Sequence, residues 1–147
     1  MRIAILFALS SAITLPGHAD EPGKETAGRL KGNWTAISIK ASGRVAPEDF
    51  VKTFKCTFGD KTYTNTVGDD AMESGDYSVI DTEKPSTIDF DIKSGPDQGK
   101  KQLGIFKVDD NKLTIVVAAP DSKRRPGSFK PEADVPFIEF VLQRAKP

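Results

Sequence analysis

The chain has one cysteine, one histidine and one tryptophan in 147 residues, and each scarcity excludes something. A single cysteine, Cys56, leaves no partner for an intrachain disulfide. The histidine, His18, lies in the first nineteen residues, which read as a removable targeting segment. The mature chain then has no imidazole, which excludes a Ser-His-Asp site, a Cys-His site and a histidine-ligated metal. Charge of either sign is not in excess: 21 basic and 21 acidic residues balance. No surplus of positive charge draws the chain to nucleic acid or to an anionic bilayer. Long apolar runs are also missing beyond the N-terminus, so no transmembrane segment is expected in the mature chain.

At the N-terminus, Met1-Arg2 supplies a short positive region and Ile3 to Leu15 an apolar core too short to span a bilayer. Pro16-Gly17-His18-Ala19 offers small residues where a signal peptidase cuts. Residues 1–19 are therefore expected to be a signal peptide cleaved after Ala19, with export to the periplasm or the medium. No cysteine stands at the cut to carry a lipid. Residues 20–29 are polar, with Pro22 and Gly23, and read as a flexible leader. One domain is expected over residues 30–146, a length with room for one core.

That domain reads as all-β. Short segments rich in Thr, Val, Ile and Phe alternate between two faces and are punctuated by Gly-Asp and Asp-Asn turns. Strands are predicted at Trp34–Lys40, Phe54–Phe58, Thr62–Val67, Met72–Ile80, Thr87–Lys93 and Phe137–Arg144, and in a hairpin turning at Asp109–Lys112. In that hairpin Val108 should face Leu113, Phe106 Ile115, and Gly104 Val117, all on one side. Ala46–Thr53 opens with a proline and two acids, as a first helical turn prefers, and predicts a short strap packing Phe50 and Val51 down. The count is eight strands joined mainly by tight turns. Such a meander closes into an antiparallel up-and-down barrel, which removes both sheet edges. An interior of that size is either filled by side chains or just able to hold one small ligand.

Few residues carry chemistry. Asp69, Asp70, Glu73 and Asp76 lack the spacing of a calcium loop and read as a solvated hairpin tip. Asp89 and Asp91 share the polar face of an amphipathic strand, where paired carboxylates do not make a glycosidase. Cys56, between Phe54 and Phe58 on one face, reads as a buried structural thiol. Pro120 to Val135 is the one long irregular stretch, read either as a solvated excursion or as a functional loop. Within it Arg125 and Phe129 are the candidate ligand-binding residues, since an arginine and an aromatic commonly anchor recognition.

Gly32-Asn33-Trp34 resembles the Gly-x-Trp opening of the lipocalins, and Arg144 stands where their arginine packs on that tryptophan. More of the chain, about Leu30 to Lys146, resembles a planctomycete family of exported lipocalin-like domains with no assigned function. The shared series runs from Leu30-x-Gly32-x-Trp34 through Gly75-x-Tyr77 and Lys84-Pro85-x-x-Ile88-Asp89. It continues in Gly95-Pro96-Asp97-x-Gly99-Lys100, Gly104-Ile105-Phe106 and Arg125-Pro126-x-x-Phe129. The resemblance implies a lipocalin-like barrel whose structural signature is Gly32, Trp34 and Arg144, and it implies no reaction. The lack of a disulfide pair and the short chain argue against a roomy pocket.

Two functions follow as expectations for a monomer with no cofactor, no metal and no catalytic residue. One is binding of a small apolar or amphipathic ligand at the open end of the barrel. The other is a packed barrel whose surface binds a protein partner, as an inhibitor or structural module. The export expectation has a direct check: mass spectrometry of exported protein should find Asp20 as the first residue, and an intact Met1 on exported material would overturn it.

Overall fold

The structure, a computed structural model, describes residues 24–130 and 136–146. The proposed signal peptide lies outside the described residues. Helix α1 (Lys24–Leu30) leads into strand β1 (Gly32–Ala41), followed by the two-residue β2 (Arg44–Val45) and helix α2 (Glu48–Thr53). Strands β3 (Phe54–Phe58), β4 (Thr62–Val67), β5 (Asp70–Ile80), β6 (Ser86–Ser94), β7 (Lys101–Asp109), β8 (Lys112–Val117) and β9 (Ile138–Arg144) complete the chain. All pairings are antiparallel between sheet neighbours, and β9 returns to pair with β1 along Trp34 to Ala41. With β2 only a short appendage of β1, the other eight strands form the expected closed up-and-down, lipocalin-like barrel.

Register follows the alternation closely. Val108, Phe106 and Gly104 pair with Leu113, Ile115 and Val117 as the hairpin pattern requires. In β3 the burial alternates strictly, with Phe54, Cys56 and Phe58 inside. Strand β1 is the ambiguous one, because both its faces are partly apolar. A bulge between Ala36 and Ser38 resolves it: Trp34 is inside before the bulge, Ile39 is inside after it, and Ile37 is left outside, 52% exposed. Helix α2 packs as expected, with Val51 buried and Phe50 against Phe54 at 6.0 Å between ring centroids.

The turns divide the barrel into two ends. The β3–β4, β5–β6 and β7–β8 turns lie at one end, together with α1 and the last residues of β9. The β4–β5, β6–β7 and β8–β9 connections lie at the other, beside α2.

The first end is plugged. Trp34 and Leu30 are fully buried there, and the indole Nε1 donates to the Leu30 carbonyl at 2.8 Å. Trp34 and Arg144 are register partners, and the guanidinium carbon lies 4.3 Å from the centre of the indole ring. Its two terminal nitrogens donate to the carbonyls of Lys31 (2.9 Å) and Arg29 (2.7 Å). Gly32 makes room for this. Its φ is +119°, and a Cβ there would stand 3.1 Å from Arg144 Nη1.

Two expectations are corrected at this stage. The flexible leader expected over residues 20–29 gives way to α1 from Lys24 onward. The reason is tertiary: Leu30 is buried in the core, Thr26 Oγ1 donates to Asp81 at 2.6 Å, and the Arg29 carbonyl accepts from Arg144. The long β8–β9 connection starts at the open end with Pro120 and, up to Lys130, is only partly the solvated excursion expected: Asp121, Lys123, Arg124, Gly127, Ser128 and Lys130 are exposed, while Arg125, Pro126 and Phe129 turn onto the outer wall. Ile105, Val116 and Ala118 form a buried apolar cluster outside the barrel interior, and the loop lies over it, with Pro126 fully buried and Phe129 packed on the patch.

The plug generates a stability prediction. Trp34→Ala should lose about 3–5 kcal/mol, the usual cost of truncating a buried aromatic. Arg144→Ala should lose less, about 1–3 kcal/mol, from the stacking and the charge-assisted hydrogen bonds. Arg144→Lys should restore only part of it, because an ammonium cannot lie flat on the indole and reach both carbonyls. Urea denaturation followed by circular dichroism measures all three, and a Trp34→Ala variant as stable as the parent would refute the role assigned to the plug.

Candidate functional site

Above the plug the barrel interior is not filled. A cavity of about 280 Å³ opens at the end bearing the β4–β5 and β6–β7 connections. Its walls are apolar and largely aromatic: Phe54, Phe58, Tyr63, Phe90, Ile115, Val117, Ile138, Phe140 and Leu142. Phe54 stacks on Phe140 at 5.4 Å, and Tyr63 meets Phe90 edge-on at 4.7 Å, so the rings fix one another. Met72, Pro96 and Pro120 line it from the open end. Gly95 permits this arrangement, since its φ is +115° and a Cβ would come within 2.6 Å of the Met72 carbonyl oxygen. That close approach seats Pro96 and Asp97 beside Met72 and Glu73.

Polar groups in the wall are few. Glu73 is half-buried and accepts a 2.8 Å hydrogen bond from the Tyr63 hydroxyl. Burial raises the Glu73 carboxyl above its ordinary value, Asp97 adds repulsion in the same direction, and the Tyr63 hydrogen bond opposes both. Burial and the Glu73 neighbour likewise push the Tyr63 phenol upward, so it stays a hydrogen-bond donor. Asp97 pairs with Lys100 at 3.0 Å, whereas Glu73 has no basic partner among the described residues. Gln102 donates to the Ala118 carbonyl at 2.9 Å, and Asn65 completes the polar set. Cys56 is the buried structural thiol expected, raised well above the thiol range by desolvation.

The two candidate ligand-binding residues lie elsewhere. Arg125 Nη1 donates to the Gly104 carbonyl at 2.8 Å and lies 2.6 Å from Asp89 Oδ1, in an ion pair rather than a hydrogen bond. Phe129 packs on the Ile105–Val116 patch, with the Lys107 ammonium 4.7 Å from its ring centre. Both fasten the loop to the outer wall, and neither lines the cavity. The physical reason is that β7 and β8 are apolar on both faces, so the outward residues need a cover. Gly32, Trp34 and Arg144 come together at the plug as expected. Asp89 and Asp91 project outward, paired with Arg125 and Lys101.

Glu73 is the residue that sequence reasoning misplaced. The sequence places it in the solvated hairpin tip with Asp69, Asp70 and Asp76, which are exposed, whereas it points inward. The signal was present: Gly75, Tyr77 and Val79 form the inward face of β5, and Glu73 is two residues earlier on the same parity. No family model, curated protein or solved structure matches this chain.

Glu73 carries a pH prediction. A carboxyl whose folded-state pKa is raised contributes nothing well below its ordinary 4.5, where both states are protonated. As pH rises through that value the unfolded chain releases the proton first, so stability falls until the folded carboxyl also ionises. Glu73→Gln removes this cost and keeps an acceptor for Tyr63. The variant should melt at a higher temperature than the parent at pH 7, and the two should converge at pH well below 4.5. A variant destabilised at pH 7 would reverse the sign assigned here.

Proposed function

We propose that this chain is an exported lipocalin-like domain that binds one small apolar or amphipathic molecule in the barrel interior. The observation that carries the reading is the cavity of about 280 Å³, walled by aromatic and aliphatic side chains and open at one end. Ligand sites are typically concave, mainly apolar, and supplied with a few convergent polar groups; volumes of about 300–1,000 Å³ are usual for drug-sized molecules. This one is at the small end of that scale and suits a compact ligand. The Tyr63–Glu73 pair supplies the polar spot. Export rests on the first nineteen residues of the sequence, and kinship with the planctomycete exported domains rests on the motif series from Leu30 to Phe129.

The test is titration of purified protein with neutral aminoanthracene, a compact fluorophore that brightens and blue-shifts in apolar surroundings. Saturable binding of one molecule per chain is expected. Met72→Trp should weaken it by narrowing the mouth, at a position 43% exposed where extra bulk does not strain the core. Absence of saturable binding would overturn the reading in favour of a barrel that acts through its surface.

A further inference from the structure

The cavity has a charge preference built into its walls. Among the described residues no lysine or arginine lines it, while two carboxylates do, those of Glu73 and Asp97. Their circumstances differ. Asp97 is neutralised by Lys100 at 3.0 Å, so it offers little to a ligand. Glu73 is half-buried, and its described hydrogen bond comes from a neutral phenol, Tyr63. A buried carboxylate without a counter-cation is costly, and a ligand that brings one relieves that cost. The surroundings favour the same sign. Phe58, Tyr63 and Phe90 present aromatic rings in the same chamber, and the faces of such rings attract cations.

We propose that the ligand is an organic ammonium: a small amine with an aromatic or aliphatic body, its protonated nitrogen directed to Glu73. The proposal rests on the reading of the cavity as a ligand site and specifies what the site selects. The apolar body fills the chamber between the Phe54–Phe140 and Tyr63–Phe90 ring pairs. The ammonium donates to Glu73, whose carboxylate still accepts from Tyr63; one carboxylate has lone pairs enough for both. A carboxylate ligand would meet Glu73 with like charge. A neutral alcohol would fill the same space but leave the charge of Glu73 uncompensated.

The experiment compares three ligands sharing one body, phenylpropylamine, phenylpropanol and phenylpropanoate, by isothermal titration calorimetry at neutral pH. The amine should bind roughly tenfold more tightly than the alcohol, the scale of one charge-assisted hydrogen bond, and the acid should bind most weakly. Glu73→Gln should abolish the amine's roughly tenfold advantage over the alcohol. Equal binding of the alcohol, tighter binding of the acid or an amine preference that persists in Glu73→Gln would each overturn the ammonium proposal while leaving the cavity reading intact. No binding by any of the three, together with no aminoanthracene binding, would overturn both. The unsubstituted protein decides the sign of the preference even if the Glu73→Gln variant does not fold.

Discussion

Everything in this fold depends on the closure of β9 onto β1, and at one end of that seam Arg144 lies across Trp34. The indole is fully buried and its one polar group is satisfied by Leu30, so its burial carries no unmet hydrogen bond. The guanidinium covers the ring and donates to two backbone carbonyls at the end of α1, groups that a helix terminus leaves without partners of its own. The last strand and the stretch from Arg29 to Trp34, with Arg144 and Lys31 separated by 113 residues, are held together by one side chain. Gly32 has the backbone geometry and the missing Cβ that allow them to approach.

The plug also sets the shape of the interior. With Trp34, Leu30, Phe58 and Tyr77 packed at one end, unfilled volume is confined to the other, and the cavity becomes a blind chamber rather than a channel. The bulge at Asn65–Thr66, where β4 and β5 shift register, lies on the wall of that chamber beside Met72 and Glu73. A packed interior would contain no carboxylate at this position. Placing Glu73 inside costs stability at neutral pH, a cost of the kind binding sites commonly carry. The outer wall is treated differently: its apolar stripe on β7 and β8 is sealed by the chain's own loop through Arg125, Pro126 and Phe129.

Much of this was legible in the residues themselves. Strict alternation in β3 and β6, and matched alternation across the β7–β8 hairpin, determined strand identity, phase and register, because a one-residue slip would turn every apolar side chain to water. A meander of eight such strands with short turns has few ways to hide its edges other than closure, and the Gly32–Trp34 opening with Arg144 on the last strand indicated which ends meet. The sequence likewise contained the phase of β5, from which the inward position of Glu73 follows by its parity with Gly75, Tyr77 and Val79.

Tertiary structure decided the rest, wherever one local pattern admitted two answers. Apolar residues on both faces of β1 were resolved only by a bulge formed against β9. Residues 24–30 became a helix because the barrel end offered Leu30 a core and the Arg29 carbonyl a donor, contacts made with partners more than fifty residues away. Arg125 and Phe129 have the composition of a binding loop, and only the folded barrel reveals the apolar outer stripe that occupies them. Whether side chains fill a barrel depends on how their volumes meet across strands distant in sequence. The sequence therefore determined the barrel, its closure and the face on which Glu73 lies, and three-dimensional packing alone left a chamber for that carboxylate to face.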